Sequence, residues 1–97
     1  MCERCGRDMG DGGPRSIHHR KPRKMGGSKD PEINSLSNLM LLCGTGTTGC
    51  HGWVEDRRLE AQADGYLVPS WENPADVRVL VHKHFVMLLA DGTYGDA

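Results

Sequence analysis

Two pairs of cysteines constrain the fold of this chain more than any other feature. Cys2 and Cys5 form a C-x-x-C knuckle at the N-terminus, and Cys43 and Cys50 flank a glycine-threonine loop. With 97 residues and only one Phe, two Tyr and two Trp, the chain can build no more than a modest apolar core. Something besides burial has to staple it, and the four thiols are the candidates. No charged segment leading into an apolar one opens the chain. Its longest apolar runs, near Leu39 to Cys43 and Phe85 to Ala90, are far too short to cross a bilayer. The expectation is a soluble protein in a reducing cytoplasm with no membrane partner, where thiols so spaced more often bind zinc than form disulfides. Four buried or reactive free thiols are the alternative.

Overall charge is close to zero, which argues against indiscriminate binding to polyanions, but the charges are unevenly distributed. From Met1 to Lys29 there are eight Lys/Arg against three Asp/Glu; from Asp30 onward the balance is four against ten. Arg15, Arg20, Lys21, Arg23 and Lys24 surround the doublet His18-His19. A field of that sign attracts a phosphate backbone, although a solvated basic loop has the same composition. Two adjacent imidazoles on an extended segment point to opposite faces, so one can hold a metal while the other stays free as a base.

The local pattern reads as α+β. Arg15 to His19 is expected as a short strand, and Pro22, Gly26, Gly27 and Pro31 then describe a surface loop reaching about Leu36. Leu39 to Leu42 fits a second, antiparallel strand ending at Cys43. A helix is expected from His51 to Asp64, with Trp53, Val54, Leu59 and Ala61 on a partial apolar face and Gly65 as its C-terminal cap. Val77, Val79 and Val81, then His84 to Leu89, suggest a C-terminal β-hairpin, with Asp91-Gly92 as a further turn. Nothing divides the chain, so residues 1–97 read as a single domain.

With strand, basic loop, strand and helix in this order, the chain resembles the HNH endonucleases, whose ββα-metal (His-Me finger) motif is a short hairpin packed on one helix. The resemblance runs from Cys2 to about Val68 through C-E-R-C, I-H-H-R-K-P-R-K-M-G-G-S, L-S-N-L-M-L-L-C and G-C-H-G-W-V-E. It implies a small zinc-stapled domain with its ββα core at about residues 15–65 and a β extension at about 66–97. The chain resembles small stand-alone HNH proteins of bacteriophages and prophages, which the family implies are often encoded beside the DNA-packaging terminase. A metal-dependent endonuclease acting on double-stranded DNA is therefore implied, with the terminase large subunit as a further partner and a bacterial host cytoplasm as its location. A zinc-stabilised DNA-binding or terminase accessory protein with little cleavage of its own is the alternative.

The resemblance also assigns roles. His18 would hold a catalytic divalent ion, with magnesium, manganese, nickel and zinc all open. His19 would be the general base, which an imidazole can be only when neutral. A slip of one residue in strand register would exchange the two. His51 would be the second ligand. Glu55, one helical turn later, could complete the set where relatives more often carry histidine, and an oxygen donor there favours magnesium or manganese. A solvated glutamate in a first helical turn is the competing reading. Asn38, the middle letter of the signature, would tie the loop to the strand bearing the base, though Asn is also an ordinary turn residue. Cys2, Cys5, Cys43 and Cys50 would hold one structural zinc, despite a Cys43–Cys50 gap wider than a common knuckle. Arg20, Lys21, Arg23 and Lys24 would contact DNA, with Arg20 and Arg23 clamping phosphate. His82 and His84 match no motif and are expected as exposed hairpin residues.

Overall fold

A computed structural model describes residues 1–8, 13–21 and 33–97 of the chain. Arg23 and Lys24, with the rest of the expected basic loop up to residue 32, lie outside the described residues.

Strand β1 (Arg15–His19) pairs antiparallel with β2 (Leu39–Cys43) in the register Ser16↔Leu42 and His18↔Met40. Alternation along a strand puts Ser16 and His18 on one face with the buried Met40 and Leu42, and turns Ile17 outward, where it is 57% exposed. The N-terminal knuckle continues the pairing on the far edge of β2. Glu3 N–H donates to the Leu41 carbonyl, and Leu41 N–H donates to Glu3 Oε1.

After Cys43 the chain reverses sharply at Gly44, whose φ of 87° is open to glycine; a Cβ there would lie 2.0 Å from the Thr48 carbonyl oxygen. This brings Cys50 back beside Cys43 and starts helix α1 (Gly49–Asp56), which packs on β2 through Val54. The expected single helix is instead two. A break at Arg57 (φ −111°, ψ 58°) separates α1 from α2 (Arg58–Ala63). Residues 55–60 are all exposed, so no core contact holds the axis straight between the buried Val54 and Ala61. Leu59, expected on an apolar face, is 87% exposed.

Gly65 ends α2 as expected, at φ 86°. Its N–H donates to the Gln62 carbonyl and that of Tyr66 to the Ala61 carbonyl, the paired bonds of a Schellman cap. The C-terminal hairpin is present and carries a third strand. Strands β3 (Val79–Val81), β4 (His84–Leu88) and β5 (Tyr94–Asp96) form an antiparallel sheet in that order. The two-residue turn His82-Lys83 has positive φ at both positions, as a type I′ hairpin turn requires. This sheet closes the core over the end of α2, where Tyr66 donates its hydroxyl to the Leu80 carbonyl and Val79, Val81 and Leu88 are buried.

Candidate active site

The turn at Gly44 and the knuckle bring the four cysteine sulfurs together, all within 4.8 Å of one another. Cys5 and Cys43 are 3.9 Å apart, and ligands about 2.3 Å from one tetrahedral zinc stand roughly 3.8 Å apart. All four are free thiols. The cluster could therefore bind a structural zinc with little rearrangement. Burial pushes the Cys50 thiol up to about 12, against the pull of the Arg4 guanidinium, which donates to its sulfur at 3.3 Å. Burial also works against a thiolate at Cys2, but backbone N–H groups of the knuckle and of Cys43 outweigh it and bring Cys2 to about 7. The Arg4 guanidinium lies 3.8 Å over the Trp53 ring and so links the knuckle to α1. His82 supports the same knuckle from the C-terminal sheet, with Nε2 3.0 Å from the Cys2 carbonyl oxygen and its ring against Gly6.

The second cluster lies between β1 and α1. One donor atom from each of His18, His51 and Glu55 falls within 4.8 Å of the others. The two imidazole rings are 5.2 Å apart at 60°, and His51 Nε2 is 3.8 Å from Glu55 Oε1. Ligands about 2.1 Å from a tetrahedral ion are separated by roughly 3.4 Å, so a small inward rotation of these side chains would suit a divalent ion. Glu55 Oε2 is paired with Arg58 at 3.0 Å. His18 is buried and its Nε2 lies 2.6 Å from the Tyr66 carbonyl, which the Schellman cap points inward. Burial holds the His18 ring below the ordinary imidazole value; the Tyr66 carbonyl opposes this and the neighbouring His51 adds to it. A neutral imidazole is the form that ligates a metal.

His19 projects from the other face of β1, where Nε2 is 3.1 Å from Asn34 Oδ1. Asn38 is fully buried and joins the end of β1 to the turn that carries Asn34. Its Oδ1 accepts from Lys21 N–H at 2.7 Å, and its Nδ2 donates to the carbonyls of Ile33 at 2.7 Å and Lys21 at 3.2 Å.

Arg20 departs from expectation. It is 0% exposed, and its guanidinium donates to four carbonyls: Gly65 at 2.8 Å, Ser37 at 2.8 Å, Pro74 at 3.1 Å and Val77 at 2.7 Å. Burial lowers its pKa to about 10, which leaves it cationic at cellular pH. Arg20 follows His18 on the inward face of the extended chain, so it ties the hairpin to the end of α2 and the segment before β3, out of reach of a phosphate at the surface.

Sequence reading passed over Ser16, Asn34 and Tyr66. Ser16 stands two residues before His18, which in a strand places it on the same face. Asn34 and the Tyr66 carbonyl act across loops, where no periodic signal exists.

A hairpin and a helix converge on His18, His51 and Glu55 beside a cluster of four cysteines, a ββα arrangement whose side chains could hold metal. The HNH endonuclease family model matches residues 2–52, just over half the chain, and the chain belongs to that family. The match includes all four cysteines, His18, His19, Asn38 and His51, and stops short of Glu55. Neither the curated proteins nor the solved structures give a match. HNH nucleases use divalent metals and act on DNA, so the family supports a nuclease-type function. Among the described residues no helix is long and apolar enough to cross a membrane.

Proposed function

We propose that this protein is a metal-dependent endonuclease that hydrolyses phosphodiester bonds of double-stranded DNA. The observation that carries the reading is the pairing of a His18–His51–Glu55 donor set with a separate imidazole, His19, on the opposite face of the same strand as His18. A divalent ion held by that set would neutralise charge developing on the scissile phosphate and its leaving oxygen. His19 takes the proton of the attacking water. Its Nε2–H donates to Asn34 Oδ1, which leaves Nδ1 with the accepting lone pair. Asn38 holds the turn and the strand end together, so the base keeps one orientation. Lys21, Arg23 and Lys24 provide backbone attraction to DNA, and sequence preference is weak because contacts to phosphate carry no base information.

The resemblance to phage-encoded relatives extends this to a terminase large subunit as partner, which co-purification from a phage-infected host would support. One observation favours a DNA-binding or accessory protein with little cleavage: half of the Glu55 carboxylate is engaged by Arg58. A plasmid assay separates the readings. Purified protein with manganese or magnesium is expected to nick supercoiled DNA, and His19→Ala to abolish nicking while metal content and melting temperature stay unchanged. Equal inertness of wild type and His19→Ala over a range of metals and pH defeats the enzyme reading.

A further inference from the structure

We infer that Ser16 is a positioning residue for the metal site, fixing the tautomer of His51 so that Nε2 faces the ion. The inference rests on the proposed reading of His18, His51 and Glu55 as metal ligands. Ser16 Oγ lies 2.7 Å from His51 Nδ1 and 3.1 Å from the Gly44 carbonyl oxygen. A hydroxyl has one proton to give, and a carbonyl can only accept. The arrangement that makes both bonds sends the proton to Gly44, and Ser16 Oγ accepts from His51 Nδ1–H. This leaves the lone pair on Nε2, the nitrogen 3.8 Å from Glu55 Oε1.

The carbonyl that sets this chain of bonds is itself fixed. Gly44 occupies a φ that other residues rarely adopt, and its N–H donates to the Pro14 carbonyl at 2.8 Å. The opposite arrangement, with Ser16 donating to Nδ1, would give up the Gly44 bond and put a proton on the nitrogen that must ligate. His18 obeys the same logic in mirror form. Its Nε2–H donates to the Tyr66 carbonyl, leaving Nδ1 as its ligand atom. The hairpin and helix thus present one imidazole through each kind of nitrogen, and a single hydroxyl controls the second.

Partners of ligating histidines that fix their tautomers typically change metal affinity or activity by about 10–100-fold when removed. The test uses full-length protein carrying one equivalent of zinc. Manganese binding is followed by calorimetry, and the histidine tautomers by nitrogen-15 NMR in the absence of manganese. Wild type is expected to hold His51 as the Nδ1–H tautomer. Ser16→Ala is expected to mix the tautomers and weaken manganese binding by at least about tenfold, and Ser16→Thr, which keeps the hydroxyl, to restore both. A wild-type His51 protonated at Nε2, or a folded Ser16→Ala with tautomer and affinity within threefold of wild type, overturns the inference. A wild type that binds no manganese overturns the metal reading instead, and its tautomer spectrum still decides whether Ser16 sets the ring.

Discussion

Replacing Arg20 with glutamine separates a structural cation from a DNA-contacting one. The guanidinium satisfies four buried carbonyls, and a glutamine amide has two N–H donors, so Arg20→Gln leaves at least two carbonyls unpaired. Hydrogen bonds from a charged donor contribute about 1.5–3 kcal/mol each, which puts the loss at roughly 3 kcal/mol or more. For a domain of this size that corresponds to a fall in melting temperature of roughly 12–24 °C. The assay is thermal unfolding of zinc-loaded protein, paired with binding to a short duplex at low temperature across a salt series. A residue contacting one phosphate contributes about 0.9 to the slope of log affinity against log salt. The buried geometry predicts a large loss of stability and an unchanged slope for the folded variant. A melting temperature within about 3 °C of wild type together with a slope reduced by about 0.9 would refute it.

Chelation should unfold the protein. Structural zinc sites contribute about 10–16 kcal/mol of apparent binding energy, as large as the whole stability of a small domain. Near-UV circular dichroism is expected to collapse in EDTA and return with zinc, and Cys43→Ser to lose the bound zinc; a chelated protein with an intact spectrum would count against the staple. Stability without a catalytic ion should fall on mild acidification. His18 has its folded pKa below its unfolded value, so the unfolded chain takes up the proton first, and the contribution is full above about pH 6.5 and lost as pH falls beneath it. Urea midpoints from pH 7.5 to 5.5 should decline more steeply for wild type than for His18→Asn, and parallel curves would contradict this. Asn34→Ala should lower kcat by about tenfold or more with manganese affinity unchanged, because it removes the side-chain hydrogen bond that orients the His19 ring; an equal loss in affinity would point to disruption of the metal site.

The hairpin was legible because its residues obey strand alternation on either side of a loop, and alternation puts His18 and His19 on opposite faces; that His18 is the inward one follows from its register opposite the buried Met40, which the sequence left open. Cysteine spacing and the Gly65 cap were legible for the same local reason. Arg20 was not, since in sequence it looks like its neighbours Lys21 and Arg23. Its partners at Ser37, Gly65, Pro74 and Val77 are distant in the chain and contribute backbone carbonyls, which no side-chain pattern reveals. The helix break escaped because good helix formers dominate residues 55–60, and only the absence of buried neighbours shows that nothing enforces a straight axis. Strand β5 has three residues and is held by pairing with β4 and by the Tyr94 hydroxyl donating to Glu3 Oε2 from the far end of the chain.

The central proposal is of two metal sites of different character, a sulfur cage for structure and a His–His–Glu set for chemistry. Crystals of zinc-loaded protein soaked in manganese, with anomalous maps at both absorption edges, test it most directly. The expected result is a zinc peak among Cys2, Cys5, Cys43 and Cys50 and a manganese peak bounded by His18, His51 and Glu55. Manganese bound elsewhere, or a Glu55 carboxylate that stays on Arg58 while no ion enters, would contradict it.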